Sequence, residues 1–275
     1  MMKMNRKKTL LIDAGNSRLK WSSLEHGQLS LQTAIAYSDS LPINCYNDLI
    51  NTAQKEHGII VLVSVLGQTF IDQARELSET LGFAFYSIES LAQLGKLKNA
   101  YHAPGQLGAD RFVAIFAADA QNAGNDDNTI VIDCGTAVTI DAIAANGQHL
   151  GGLILPGQNL CTTSLLKGTA QLELNAEKTT TELLAKDTHQ AILSGSYYGI
   201  VGAIEHICSC IEKRVFAENK QQKCTKIICG GGAEALLPQL PSGYRHVPDL
   251  LMQGLKIISE KHLDLWENPA QTRLQ

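Results

Sequence analysis

The sequence predicts an α/β protein made of two copies of one unit. Three observations carry this expectation. Short apolar runs rich in β-branched residues alternate with amphipathic stretches of helical period. A tetrad of the form Asp-x-Gly-polar closes one such run at Asp13 and another at Asp133. Each tetrad is followed by a second strand, a glycine turn and a third strand, and the two lie 133 − 13 = 120 residues apart, the size of a domain. The expected domains are 1–125 and 126–275, the second carrying a helical insertion.

The elements follow in order. Residues 10–12 form the first strand and end in Asp13-Ala14-Gly15-Asn16-Ser17. A second strand covers 19–24, Gly27 turns the chain, and a third covers 29–31. Residues 59–63 are uniformly apolar and rich in β-branched side chains, as a buried strand should be. The spacing predicts a helix over 70–81 and another over 111–119, with Phe112, Ile115 and Phe116 on one face. Residues 122–128 are polar and turn-prone and read as the seam between domains.

The opening pattern then returns. Residues 129–132 are a strand ending in Asp133-Cys134-Gly135-Thr136, 137–143 a second, Asn146-Gly147 a hairpin turn, and 150–155 a third. Residues 159–184 are mixed in character, and 188–214 read as a long helix. Gly195, Gly199, Gly202 and Ala203 recur on that helix at helical spacing, suiting either internal packing or a subunit contact. The last core strand, 226–229, runs into Gly230-Gly231-Gly232; a final helix covers 250–261, and 267–275 read as a loose tail.

Composition excludes several classes. With 44% hydrophobic and 18% charged residues the chain is not disordered. A net charge of −4 argues against duplex nucleic acid as a ligand. No apolar run approaches the roughly 18 residues that span a bilayer, and the apolar stretch after the basic N-terminus is too short for a secretory signal. Seven cysteines without a CxxC pair read as thiols in a reducing cytoplasm, and the eight histidines show no ligand spacing. The phosphate loop GxxxxGK[ST], a GxGxxG after a strand, HExxH and GxSxG are all missing.

The chemistry that remains is anion binding and proton transfer. A carboxylate at a strand end can order magnesium against phosphate oxygens. The glycine after it lets backbone N–H groups approach an anion, and Asn16, Ser17 or Thr136 adds short donors. Lys20 lies on the strand after the first turn, within reach of the same phosphates. Two such turns facing each other across a cleft would clamp a triphosphate. Gly230-Gly231-Gly232 leaves room for a flat ring. Gly108-Ala109-Asp110-Arg111 opens a helix: Asp110 suits an N-cap or a general base, and Arg111 offers a planar fork to a carboxylate or phosphoryl group. The glycines and Pro156 of 151–157 imply close backbone approach around a strand.

These residues resemble the ordered motifs of the type III pantothenate kinase family: Asp13 to Ser17 with Lys20, then Gly108 to Arg111, then Asp133 to Asp141, then Gly151 to Gly157. The resemblance covers about 10–255. It implies a duplicated ribonuclease-H-like fold of the actin/sugar-kinase superfamily with a central cleft. It also implies ATP-dependent phosphorylation of pantothenate to 4'-phosphopantothenate, the first step of coenzyme A synthesis, in the cytoplasm. Magnesium, a monovalent cation (potassium or ammonium) and a homodimer are implied as well, with no nucleic-acid or membrane partner. By motif, Asp110 resembles the catalytic base, and Tyr101, Gly108, Ala109, Asp110, Arg111 and Thr188 the pantothenate contacts. Asp13, Ala14, Gly15, Asn16, Ser17, Arg18, Leu19 and Lys20, with Gly135, Thr136 and Gly231, correspond to the nucleotide site, and Asp133 to the cation ligand. The alternatives are another small-alcohol kinase of the superfamily and a non-catalytic nucleotide-binding regulator, which would not need both Asp110 and Arg111.

Overall fold

β1 (Lys8–Ala14) is buried from Thr9 to Ala14, the signature of a central strand covered on both faces. In the computed structural model, which describes residues 8–37, 40–125, 127–168, 182–217 and 223–266, it lies in the middle of the first of two main sheets. β2 (Arg18–Glu25) returns antiparallel to it, and β3 (Gln28–Leu29) and β4 (Thr33–Ala36) both pair with β2. α1 (Pro42–Ala53) leads to β5 (His57–Ser64), parallel to β1, and α2 (Gln68–Thr80) to β6 (Ala84–Ile88), parallel to β5. The strand order is β3-β2-β1-β5-β6. Leu10, Ile12, Leu19, Tyr46, Ile60 and Phe85 are among the residues of its core.

The short strands β7 (Gln93–Leu94) and β8 (Leu97–Lys98) and a 3-10 turn at Pro104–Gln106 precede α3 (Ala109–Gln121). The pattern then repeats. β9 (Asn128–Cys134), β10 (Ala137–Ile143) and β11 (His149–Pro156) form an antiparallel meander; α4 (Gln158–Gly168) and α5 (Thr188–Cys210) follow. β12 (Cys224–Cys229) joins parallel to β9, α6 (Ala233–Leu236) follows it, and β13 (Tyr244–His246) joins parallel to β12. The second sheet has the order β11-β10-β9-β12-β13, so both sheets place three meander strands on one side and two parallel strands on the other. α7 (Leu250–Lys261) ends the regular structure apart from a 3-10 turn at Leu263–Trp266.

The chain falls into two compact units, and neither is continuous. One comprises Met1–Leu94, Tyr101–Ala117 and Asp249–Gln275, the other Gly95–Ala100 and Ala118–Pro248. This division differs from a single break at 125/126. α7 joins the first unit because Leu250, Met252, Leu255 and Ile258 are buried there and Gly254 lets it close on α3: a Cβ at 254 would stand 2.6 Å from Val113 O. In the polar stretch expected as a seam, Asn122 Nδ2 donates to Asp127 O at 2.9 Å and to Thr129 Oγ1 at 3.0 Å.

Other differences have local causes. The third strand stops at Leu29, leaving Leu31 93% exposed, and Thr33–Ala36 takes the place beside β2 instead. α1 was hidden because Asn44, Asn47 and Asn51 interrupt its apolar positions, although Pro42 suits a helix start. The long helix ends at Cys210 and continues as a π turn over Ile211–Val215. Among the described residues nothing packs on its glycines: a Cβ at Gly195, Gly199 or Gly202 would meet nothing within 4 Å. The expected tail, 267–275, and residues 169–181 of the mixed stretch 159–184 lie outside the described residues.

Candidate active site

In the first unit the strand-end turn is built as a tight hairpin. Gly15 N–H donates to Arg18 O at 3.1 Å, and Tyr37 N–H to Ser17 O at 3.2 Å. Asp13 is buried at the end of β1, and Lys20, opposite it on β2, places Nζ 3.1 Å from Asp13 Oδ2. Burial pushes the Asp13 carboxyl above the usual aspartate range, and the Lys20 charge and hydrogen bond partly offset this. Asn16, Ser17 and Arg18 are exposed at the tip, while Ala14 and Leu19 put their side chains in the core and leave only backbone for an anion.

Asp110 sits in the same unit, in the first turn of α3 and not at its cap. Gly108 takes the cap position, its carbonyl accepting from Phe112 N–H at 2.9 Å. The Asp110 carboxylate folds back on the helix start, with Oδ1 accepting from Arg111 N–H at 2.7 Å. Burial pushes its pKa up, the Arg111 amide opposes this, and the charge of Asp13 pushes it up further. A carboxyl with this balance is a stronger proton acceptor than an exposed aspartate. Arg111 is buried, and Nη1 donates to Tyr101 Oη at 3.0 Å, with the guanidinium carbon 5.8 Å from the ring centroid. Asp13, Lys20, Tyr101, Asp110 and Arg111 thus belong to one unit, with Asp13 and Asp110 electrostatically coupled.

The second unit carries its own cluster. Gly135 N–H donates to Ala137 O at 3.0 Å, closing a hairpin like the first. Gly157 N–H donates to Thr136 O at 3.1 Å, and a Cβ there would also crowd Gly135 O at 2.7 Å. Gly232 N–H reaches Cys134 O at 2.8 Å. Gly230 has φ +86° and lies against Asp133 Oδ1 and the Cys134 backbone, where any Cβ would collide. The glycines after β11 and β12 therefore converge on the Asp133 turn, with Gly135, Thr136 and Gly231 exposed beside it. Cys134 is a buried filler whose thiol burial pushes up to about 12, with Asp133 adding to the shift. Thr188 opens α5, exposed, next to Asp187, whose carboxylate accepts from Gln190 N–H at 2.8 Å.

The family model of type III pantothenate kinases matches residues 9–210. The chain belongs to the type III pantothenate kinase family. A type III pantothenate kinase of Nitrosococcus oceani is 32% identical over 259 residues, covering 91% of this chain and 93% of that one. Another, of a Janthinobacterium species, is 34% identical over 266 residues, covering 92% and 98%. Among solved structures, a Campylobacter jejuni protein assigned to the Baf family of transcriptional activators aligns with TM-score 0.57 and 21% identity, over 91% of this chain and 98% of that one. MreB5 of Spiroplasma citri, solved with ADP, aligns with TM-score 0.53 and 10% identity over 96% and 99%. At these identities the structures speak to fold alone: an α/β fold of two units, each built on one main sheet.

As a member of a kinase family, the chain must handle phosphate charge, and its donors suit the implied cations. The charge of Asp13 disfavours ionisation of Asp110, and a divalent cation at Asp13 would relieve this. Among the described residues no group of three or more His, Cys, Asp or Glu side chains gathers. Magnesium takes one or two carboxylates and fills its octahedron with phosphate oxygens and water, so Asp13 at the strand end would suffice for it. Asp133, in a glycine-lined notch of the second unit, offers the oxygen donors that a monovalent cation prefers. Sequence reasoning missed the helix-capping role of Gly108 and the part played by Ser90, whose Oγ donates to Leu107 O at 2.7 Å. An isolated serine after a strand carries no motif signal.

Proposed function

We propose that this chain transfers the γ-phosphoryl group of ATP to the primary hydroxyl of pantothenate, forming 4'-phosphopantothenate, with Asp110 as general base. The observation that carries the reading is the Asp110 carboxylate itself: held on a helix start, raised in basicity by burial and by Asp13, and flanked by Arg111. The hydroxyl's proton goes to Asp110 as its oxygen attacks phosphorus, and the bond to the β,γ-bridging oxygen breaks, leaving ADP. The Asp13 turn and Lys20 contribute amide and ammonium donors to the phosphates, as do Gly135 and Thr136 from the second turn. Magnesium would be held by Asp13, directly or through water, and would supply charge neutralisation when bound. Arg111, supported by Tyr101, and Thr188 hold pantothenate, whose carboxylate suits a guanidinium fork. Gly231 gives the nucleotide's flat ring side-chain-free backbone, and Asp133 holds potassium or ammonium.

The reading extends to assembly and compartment. The open glycine face of α5, with Leu153 and Ile154 exposed on β11, supports a homodimer. All seven cysteines are free thiols, which suits a reducing cytoplasm. No helix among the described residues is long and apolar enough to cross a membrane.

The test is ADP release from ATP with magnesium and potassium, with pantothenate compared against a panel of sugars and polyols. Pantothenate-dependent turnover, reduced on the order of 10²-fold or more by Asp110→Asn, is the expected result. Turnover with another alcohol alone would assign a different acceptor. A fully active Asp110→Asn would remove the base.

A further inference from the structure

We infer that Ser90 is a positioning residue for the general base, an inference that rests on the reading of Asp110 above. Ser90 lies just beyond β6 and is 8% exposed. Its Oγ donates to the carbonyl of Leu107 at 2.7 Å, and Leu107 is itself 2% exposed. Leu107 closes the 3-10 turn that follows Tyr101, its N–H donating to Pro104 O at 3.1 Å. The next residue, Gly108, caps α3 and so sets where that helix begins. The chain therefore enters α3 from a carbonyl pinned in the interior, three residues before the base.

Two further contacts make that entry point decide where the carboxylate lies. Asp110 Oδ1 rests over Gly108 so closely that a Cβ there would stand 2.7 Å from it. Trp266 Nε1 donates to Glu89 O at 3.1 Å, holding the backbone next to Ser90 from its other side. Without the Ser90 hydroxyl, the Leu107 carbonyl is left buried and unsatisfied, and the backbone must move to find a partner. Any such movement is passed through Gly108 to the carboxylate, and a misplacement of about 1 Å costs on the order of 10²-fold in rate.

The test uses Ser90→Ala, the milder Ser90→Cys, and Ser90→Thr, which keeps the hydroxyl. Ser78→Ala is the control, because it removes another buried hydroxyl of the same unit, bonded to Tyr46 and to Ala74 O. Ser90→Ala is expected to lower kcat about tenfold with KM for ATP within about twofold. It is also expected to speed hydrogen exchange at the amides of Arg111 and Phe112. Ser90→Cys should fall between it and wild type, Ser90→Thr should recover most of the rate, and Ser78→Ala should lower Tm with kcat unchanged. Wild-type kcat in Ser90→Ala, however far its Tm falls, overturns the inference, as does an equal kcat loss in Ser78→Ala. Should Asp110→Asn itself prove fully active, the base assignment is what fails; unchanged exchange at 111 and 112 in Ser90→Ala would then show separately that Ser90 does not hold the start of α3.

Discussion

Lys20 Nζ lies 3.1 Å from Asp13 Oδ2, and the two residues face each other across the β1–β2 ladder. In the second unit the corresponding carboxylate, Asp133, faces the neutral Thr139 across β9–β10. The paired positions are 20 − 13 = 7 residues apart in the first hairpin and 139 − 133 = 6 in the second. Duplication has kept the acid and changed both the loop and the residue opposite. A lysine beside the first acid suits a grip on phosphate. A neutral residue, Thr139, stands opposite the second.

Replacing Lys20 by methionine tests the first half of that contrast. Burial alone then acts on Asp13, and its pKa rises further above the unfolded value. A group with a raised folded pKa contributes stability that is present at low pH and lost as pH rises through that value. The Tm deficit of Lys20→Met relative to wild type is therefore expected to widen from about pH 5 to about pH 8. KM for ATP should rise about tenfold or more. A deficit that stays constant with pH would show that Lys20 does not govern the charge of Asp13.

Asp110 should behave as a group whose function costs stability. Burial and Asp13 raise its pKa, so in the unliganded protein its ionised form is disfavoured, and stability falls as pH rises through the folded value. Asparagine keeps an oxygen for the Arg111 amide and carries no charge. Asp110→Asn is accordingly expected to match or exceed the wild-type Tm near neutral pH while losing turnover. Thermal melts without ligand check this, and a clear drop in Tm at neutral pH would mean that the carboxylate is a structural anion.

How much of this was legible in the sequence depends on whether the signal was local. The strand 137–143 and the helix 250–261 match β10 and α7 because their apolar patterns are uninterrupted. The duplication was legible because each acidic turn sits between strands that flank it in sequence. The owner of α7 was not, because its fit on α3 through Gly254 and Val113 joins residues 254 − 113 = 141 positions apart. The roles in the Asp133 cluster were half legible: the glycine runs stand out, but only coordinates show Gly157 and Gly230 closing on the same turn. Asp110 suited a cap or a base in the sequence, and only the coordinates show that Gly108, not Asp110, caps α3.

Gly230→Ala should be among the more damaging single substitutions in the second unit. Its φ of +86° strains any other residue, and the added Cβ would stand 2.7 Å from Cys134 N and collide with Asp133 Oδ1. Strain and overlap together predict a loss of about 2 to 4 kcal/mol in denaturant unfolding. Any protein that still folds should have lost activation by potassium, because the alanine displaces the Asp133 carboxylate. Potassium activation equal to wild type would place the monovalent site elsewhere.

Arg111 and Tyr101 should act on pantothenate as one unit. Arg111 is 7% exposed and its guanidinium donates to the tyrosine hydroxyl at 3.0 Å, so phenylalanine at 101 removes the acceptor while keeping the ring beneath the charge. Tyr101→Phe is expected to raise KM for pantothenate about threefold to tenfold with KM for ATP unchanged. Arg111→Lys should cost more, since an ammonium cannot present a fork to a carboxylate and keep the tyrosine bond at the same time. Because both substitutions break the same contact, the double variant should fall short of additivity by about 1 kcal/mol. Strict additivity would mean that Tyr101 meets the substrate independently of Arg111, and the buried hydrogen bond between them would then have no part in recognition.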